Sequence, residues 1–289
     1  MQLTSIKTIR ELQEKFDFAF KKGLGQNFLT NPYVLEKMVE CAEIEDGVLE
    51  IGPGFGVLTY ELAKKAPKVV ALEIDERLPE VLAYTLSEFD NVKVINTDAL
   101  KADIASLIKN EFGDKKISIA ANLPYYITTP IITKLLESHL PIKAITVMVQ
   151  KEVAERLSAK EGSKAYGAIS VLCAYYCKSE IVVKVPSGDF VPAPKVDSAV
   201  LKLTVCDTPN VKVNNEALFF KVVKAAFSQR RKTLLNCMSS FFHMEKNVLE
   251  PVLDRAGIDP KRRGETLSLE EFATLCNCTA ESGELRAKS

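Results

Sequence analysis

The stretch "LEIGPGFGVLT" (Leu49–Thr59) ends a short strand-like run on three glycines and passes directly into a helical pattern. Gly52, Gly54 and Gly56 stand where backbone must turn tightly and approach a ligand. In an open α/β sheet such a strand-to-helix turn lies on the ligand edge. A dinucleotide-binding G-x-G-x-x-G pattern would need its third glycine at the position of Val57, so that fingerprint fails. Glu50, just before the turn, would repel a pyrophosphate but favour a ligand that carries an ammonium group.

Outward from this turn, strand-like and helix-like segments alternate from Asn31 to Val205. "VLEIG", "KVVALEID", "VKVINTD", "KISIAANL", "AITVMVQ", "EIVVKV" and "AVLKLTV" are short β-branched runs, most of them separated by helical patterns such as "VLTYELAKK", "LPEVLAYTL" and "PIITKLLES". The alternation predicts a doubly wound, mostly parallel sheet. "NPYVLEKMVECA" reads as a helix capped by Asn31 with Pro32 in its first position, and Ile9, Leu12 and Phe16 share one face of an earlier helix. Beyond Val205 the patterns are helical, with no convincing strand, and the polar "CDTPNVKVNN" is the natural joint. We therefore place an α/β domain at 1–207 and a small helical domain at 208–289.

Composition narrows the class. The 289 residues are 47% hydrophobic and 26% charged, enough for a sizeable core, and 38 basic side chains balance 38 acidic ones. The seven cysteines include no C-x-x-C pair, and His139 and His243 are the only histidines, which argues against a disulfide framework or a metal site and for free thiols in a reducing, cytoplasmic compartment. No apolar run approaches the ~20 residues of a membrane span. The acidic residues of the first twenty argue against a targeting peptide.

Two further strand ends carry acids. Glu73 in "ALEID" could accept hydrogen bonds from both hydroxyls of a ribose, and Asp98 in "NTDAL" could reach an adenine amino group. Each residue alone is as readily a helix cap. Successive strand ends supplying all three, with an ammonium-favouring Glu50 and no phosphate fingerprint, point to S-adenosylmethionine.

The fourth strand ends in "ANLPYYITTP" (Ala121–Pro130). An exocyclic adenine amine is a poor nucleophile because its lone pair is delocalised into the ring. Hydrogen bonds from its N–H groups to the Asn122 side-chain oxygen and the Leu123 carbonyl would favour the pyramidal nitrogen that attacks a methyl group. Pro124 fixes the carbonyl direction without adding a donor. Tyr125 can stack on a base taken out of its helix, replacing part of the lost stacking, and Tyr126 reads as a packing residue. The plainer reading is a turn closing a buried strand, with both tyrosines at the core edge.

With "GLGQNFLTNP", "EIGPGFGVLT", "ALEID", "NTDAL", "NLPYYI", "MVQKEVAERL", "FVPAPKVDSAV" and "RGETLSLEEFA" in this order, nearly the whole chain resembles the rRNA adenine-N6,N6-dimethyltransferases, a family that also includes the erythromycin-resistance methyltransferases. The resemblance implies a class I, Rossmann-like S-adenosylmethionine-dependent methyltransferase domain with a seven-stranded sheet and a small helical rRNA-binding domain. It implies dimethylation of two adjacent adenosines in the 3′-terminal hairpin of small-subunit rRNA, linked to subunit maturation, by a cytoplasmic monomer needing neither metal nor membrane. Cofactor contacts would fall on Asn27, Leu29, Gly52, Glu73, Asp98 and Asn122, with Phe190 as a second aromatic wall opposite Tyr125. From the residues alone, "GQNFL" reads only as a loop before a helix, anchored by Phe28 and Leu29.

From Lys221 to Arg263, ten basic side chains face four acidic ones, a local excess of six that suits phosphate contacts. "SQRRKT" and "PKRRGE" make Arg230, Arg231, Lys232, Lys261, Arg262 and Arg263 the candidates, against a plain solvated helix end and loop. Two rival functions are an assembly factor whose methylation is secondary, and an N6-adenine DNA methyltransferase.

Overall fold

The computed structural model describes residues 2–21, 23 and 25–281. The chain forms two compact units, Met1–Ala154 with Lys178–Val205, and Glu155–Cys177 with Cys206–Ser289.

In the first unit seven strands form one sheet, β2 (Val48–Ile51), β3 (Val69–Glu73), β4 (Val92–Asn96), β5 (Ile117–Asn122), β6 (Ile142–Gln150), β7 (Cys177–Val185) and β9 (Ser198–Val205), in the order β4-β3-β2-β5-β6-β9-β7. The pairs from β4 to β6 are parallel, and β9 joins antiparallel to β6. Every residue of β2 and β3 is buried, as expected of central parallel strands covered on both faces, whereas the edge strand β4 has no buried residue. Strand order reverses between β2 and β5, which makes their carboxyl ends the crevice where such sheets bind ligands. Register sets the crevice level: Ile51 pairs with both Leu72 and Ala121, so Gly52, Glu73 and Asn122 emerge at one height, and Glu73 pairs with Asn96, two residues before Asp98.

Helices connect the strands: α1 (Ile6–Lys15), α2 (Pro32–Cys41), α3 (Val57–Ala63), α4 (Leu78–Thr85), α5 (Ile104–Phe112), α6 (Thr128–Glu137) and α7 (Lys151–Leu157). As the sequence predicts, the Asn31 side chain caps α2 by accepting the Tyr33 N–H at 3.0 Å, and Ile9 and Leu12 of α1 are buried, whereas Phe16, expected on the same face, caps the helix end and is half-buried. A separate two-stranded ribbon pairs β1 (Phe28–Leu29) with β8 (Phe190–Val191), Leu29 facing Phe190. Phe28–Leu29, in the stretch expected to be a plain loop, is therefore a short strand, because its backbone finds a partner in the distant Phe190–Val191.

The second unit contains α8 (Ala168–Tyr176), α9 (Glu216–Ala226), α10 (Leu234–Phe242), α11 (Lys246–Arg255) and α12 (Leu269–Glu281). It departs from the expected boundary in one respect: residues 155–177 belong with it. Tyr175 of α8 stacks on Phe219 at 4.8 Å, the Tyr175 and Tyr176 hydroxyls both donate to Glu216, and the Tyr166 hydroxyl donates to the Leu267 carbonyl. The apolar run "AISVLCAYYC" buries its aromatic rings against α9, a long-range contact that no local pattern announces.

Candidate active site

A cavity of about 210 Å³ opens at the carboxyl ends of β2, β3 and β5, and all its lining residues belong to the first unit. Asn27, Leu29, Gly52, Glu73, Asp98, Asn122, Leu123, Pro124, Tyr125 and Phe190, ten residues from six separate stretches of sequence, line this one space.

The glycine turn is its floor. Gly52 has φ +72°, and a Cβ there would meet no protein atom within 4 Å, so the backbone is bare toward the cavity. Gly54 has φ +59°, and a Cβ there would approach the Phe28 ring to 2.9 Å. Phe28 in turn stacks on Phe55 at 4.2 Å. The glycines thus let the N-terminal stretch "GQNFL" lie directly on the turn.

Two acids face the cavity from beneath it. Glu73, 5% exposed, accepts the Gly54 N–H on Oε2 at 3.2 Å and the Asp75 N–H on Oε1 at 2.8 Å. These bonds fix the carboxylate, yet each oxygen keeps a lone pair for a hydroxyl. Burial raises its pKa despite the two N–H donors. Glu50 is 1% exposed, and its Oε2 has no hydrogen-bond partner among the described residues. Burial pushes its carboxyl up to about 8, Glu73 adds in the same direction, and the nearby Thr59 hydroxyl, outside hydrogen-bond geometry, opposes it. An orphaned carboxyl oxygen at a pocket wall suits a ligand bearing an ammonium group, and the open Gly52 and spare acceptors of Glu73 suit its ribose. The residues present fit S-adenosylmethionine.

Asp98 accepts the Leu100 N–H on Oδ1 at 2.9 Å, which fixes it in the loop after β4. Lys134 of α6 holds that loop from outside, donating to the carbonyls of Ala99, Leu100 and Ala102 at 3.1, 2.8 and 2.7 Å. At the end of β5, the Asn122 amide donates Nδ2–H to the Asn27 carbonyl at 3.0 Å, which leaves its oxygen as an acceptor on the cavity wall. Among the described residues nothing donates to the Leu123 carbonyl. The Tyr125 hydroxyl pairs with Ser198 Oγ at 3.2 Å, which anchors the ring at the start of β9, and Phe190 is held by its pairing with Leu29. Tyr126 is a correction to the packing role read from sequence: it is 57% exposed at the rim of the cavity.

Sequence reasoning passed over Lys134, Ile74 and a buried network around Asp75. Ile74, 46% exposed and beside Glu73, also lines the cavity; an apolar residue just past a strand-end acid was the available signal. Asp75 takes Arg77 Nε at 2.9 Å and Nη2 at 2.6 Å, together with Gln26 Nε2 at 2.8 Å. These bonds, Arg77 first, hold its carboxyl down to about 2. Gln26 precedes Asn27, so this network ties the end of β3 to the segment that orients Asn122.

A family model described as ribosomal RNA adenine dimethylase matches residues 17–280. The chain belongs to the ribosomal RNA adenine dimethylase family. Ribosomal RNA small subunit methyltransferase A of Bacillus pumilus is 51% identical over 280 residues, 95% of this chain and 96% of that one. The protein of the same name in Bacillus mycoides is 52% identical over 274 residues, 93% and 94% of the two chains. Among solved structures, a dimethyladenosine transferase from Plasmodium falciparum is 28% identical, with TM-score 0.75 over 89% of this chain and 98% of its own. The 23S rRNA methyltransferase ErmE is 27% identical, with TM-score 0.68 over 87% and 98%. The fold of this dimethylase-family chain is accordingly a Rossmann-like methyltransferase fold with added helices.

In the second unit the two basic stretches meet. The Leu234 N–H, which follows "SQRRKT", donates to the Arg262 carbonyl at 2.7 Å. Arg230, Arg231, Lys232, Lys261 and Arg263 are exposed. Arg262 differs: its guanidinium reaches Glu271 Oε2 at 2.9 Å and the Thr266 carbonyl and hydroxyl at 2.6 and 3.2 Å. Four of its five N–H donors are engaged inside the unit. Among the described residues no group of three or more His, Cys, Asp or Glu side chains could hold a metal, and no helix is long and apolar enough to cross a membrane.

Proposed function

We propose that this chain uses S-adenosylmethionine to dimethylate N6 of two adjacent adenosines in the 3′-terminal hairpin of small-subunit rRNA, acting as a cytoplasmic monomer on the assembling subunit. The observation that carries the reading is the Asn122 amide, turned by the Asn27 carbonyl so that its oxygen stands free beside the open Leu123 carbonyl. Two acceptors at the end of a rigid strand match the two N–H groups of an adenine amine.

S-adenosylmethionine, when bound, supplies an electrophilic methyl group. Gly52 would give it bare backbone, Glu50 would face its ammonium, Glu73 its ribose and Asp98 its adenine, with Asn27 and Leu29 lining the same space. Asn122 and Leu123 hold the target amine and localise its lone pair, and Pro124 keeps the carbonyl aimed. Tyr125 and Phe190 flank the extruded base; such stacking is worth ~1–3 kcal/mol per base, which offsets part of the unstacking. Arg230, Arg231, Lys232, Lys261 and Arg263 supply phosphate contacts, and Arg262 supports their loop.

The identity to proteins named for the small subunit, 51% and 52%, against 27% to ErmE, favours small-subunit over large-subunit rRNA. Tritiated methyl transfer to unmethylated small subunits, naked rRNA, large-subunit rRNA and duplex DNA tests the choice, with N6,N6-dimethyladenosine in small subunits expected. Preferential labelling of large-subunit rRNA or DNA would overturn it. Asn122→Ala should lower kcat by on the order of a hundredfold, the typical loss when one positioned polar group is removed from a transition state. Tyr125→Ala should do so with cofactor affinity retained, read by calorimetry; full turnover by both variants would remove the pocket assignment.

A further inference from the structure

Tyr126 is the most exposed large hydrophobic side chain among the described residues, at 57%. The two other exposed tyrosines each have a lysine ammonium near the ring: Lys15 lies 3.3 Å from the Tyr84 centroid, and Lys37 lies 5.7 Å from that of Tyr33. Among the described residues Tyr126 has neither a ring nor a cation against it. Its backbone is held in a turn, in which Pro124 has a fixed φ and the Ile127 N–H donates to the Pro124 carbonyl at 3.2 Å. Gly25 keeps one side of the turn clear: a Cβ there would press on Pro124 at 3.2 Å and touch the Tyr126 ring at 4.0 Å.

A pre-positioned, uncovered aromatic ring next to the wall that receives the target base is a stacking surface without a partner. Tyr126 follows Tyr125 in the chain and lines the rim of the same cavity, within reach of the base that flanks a nucleotide extruded there. We propose that Tyr126 is the platform on which the base adjoining the target adenosine stacks, so that the enzyme holds both members of the adjacent pair while one is methylated. The inference rests on the dimethyltransferase reading above and assigns a second nucleobase subsite to its rim.

The test uses unmethylated small subunits and a small-subunit 3′-terminal RNA hairpin with 2-aminopurine at the position adjoining the target. Tyr126→Ala should raise KM for subunits about tenfold, the fold-change expected for losing one stacked base, with cofactor affinity unchanged. Bound 2-aminopurine should be quenched by the wild type and by Tyr126→Phe, and brighter by several-fold with Tyr126→Ala. Unchanged KM for subunits, or equal fluorescence with all three proteins, would overturn the subsite while leaving methylation intact. Failure of the wild type to methylate subunits would instead sink the dimethyltransferase reading.

Discussion

A carboxyl group as buried as Glu50, with one oxygen unpartnered, stays protonated until pH nears 8. The unfolded chain releases that proton near the ordinary value of 4.5, so the folded protein binds one proton more between these limits. Stability from this group is therefore complete below about 4.5 and is lost as pH rises toward about 8. Glu73, raised by burial as well, pulls the same way, which is why the effect must be read as a difference between proteins. Comparing melting temperatures at pH 5 and pH 8 without cofactor, the wild type should fall further than Glu50→Gln. Cofactor binding should reverse the linkage, since an ammonium favours the ionised carboxylate. Calorimetry in two buffers of different ionisation enthalpy should detect proton release with the wild type and less with Glu50→Gln. Matching pH profiles would place the proton elsewhere.

At the scale of elements, α6 has two tasks: it opens right after the "NLPY" turn and it carries Lys134 to the loop that follows β4. A lysine ammonium has three donors, and here all three end on carbonyls. Removing them leaves three acceptors in a half-closed space, at about 1–3 kcal/mol for each one that water cannot reach. With Asp98 of that loop in its proposed place at the cofactor's adenine, the loss should appear in cofactor binding: Lys134→Met should raise KM for S-adenosylmethionine about tenfold with kcat little changed, and Lys134→Arg should recover part of it. A fall in kcat at unchanged KM would separate Lys134 from the cofactor loop. None of this was readable from "PIITKLLES", where Lys134 is one polar residue on an amphipathic helix. What the sequence did disclose at this scale was local: the Asn31–Pro32 start of α2, the seven strands and the glycine turn all follow from short-range chemistry. The β1–β8 ribbon and the Gln26 arm of the Asp75 network escaped because their partners are distant in sequence, Leu29 from Phe190 and Gln26 from Asp75. Tyr126 escaped because composition alone does not tell a buried tyrosine from an exposed one.

For the molecule as a whole, a net charge of zero conceals an uneven distribution, with acids concentrated around Glu36–Asp90 and bases between Lys221 and Arg263. That contrast, and the change to helices after Val205, were legible as pattern, whereas the allegiance of residues 155–177 was not, because it depends on rings packing against α9. Legibility also failed for Arg262, which sequence could not distinguish from its neighbours. Exposed cations on the Arg230 and Lys261 loops release counterions when they meet phosphates, so each contributes about one unit to the slope of log affinity against log salt. Arg230→Ala with Arg231→Ala should therefore flatten that slope by about two for small-subunit rRNA, with melting temperature and cofactor affinity unchanged. Arg262→Ala should behave oppositely. Its bidentate pair with Glu271 is partly exposed, at 30% and 34%, so its loss should destabilise the second unit by on the order of 1 kcal/mol. Denaturant midpoints with Glu271→Ala as the second arm of a double-mutant cycle measure that coupling. Should Arg262→Ala flatten the salt slope as much as a loss of Arg231 while leaving stability untouched, Arg262 must leave Glu271 to bind RNA, and its assignment as a support for the basic loop would be withdrawn.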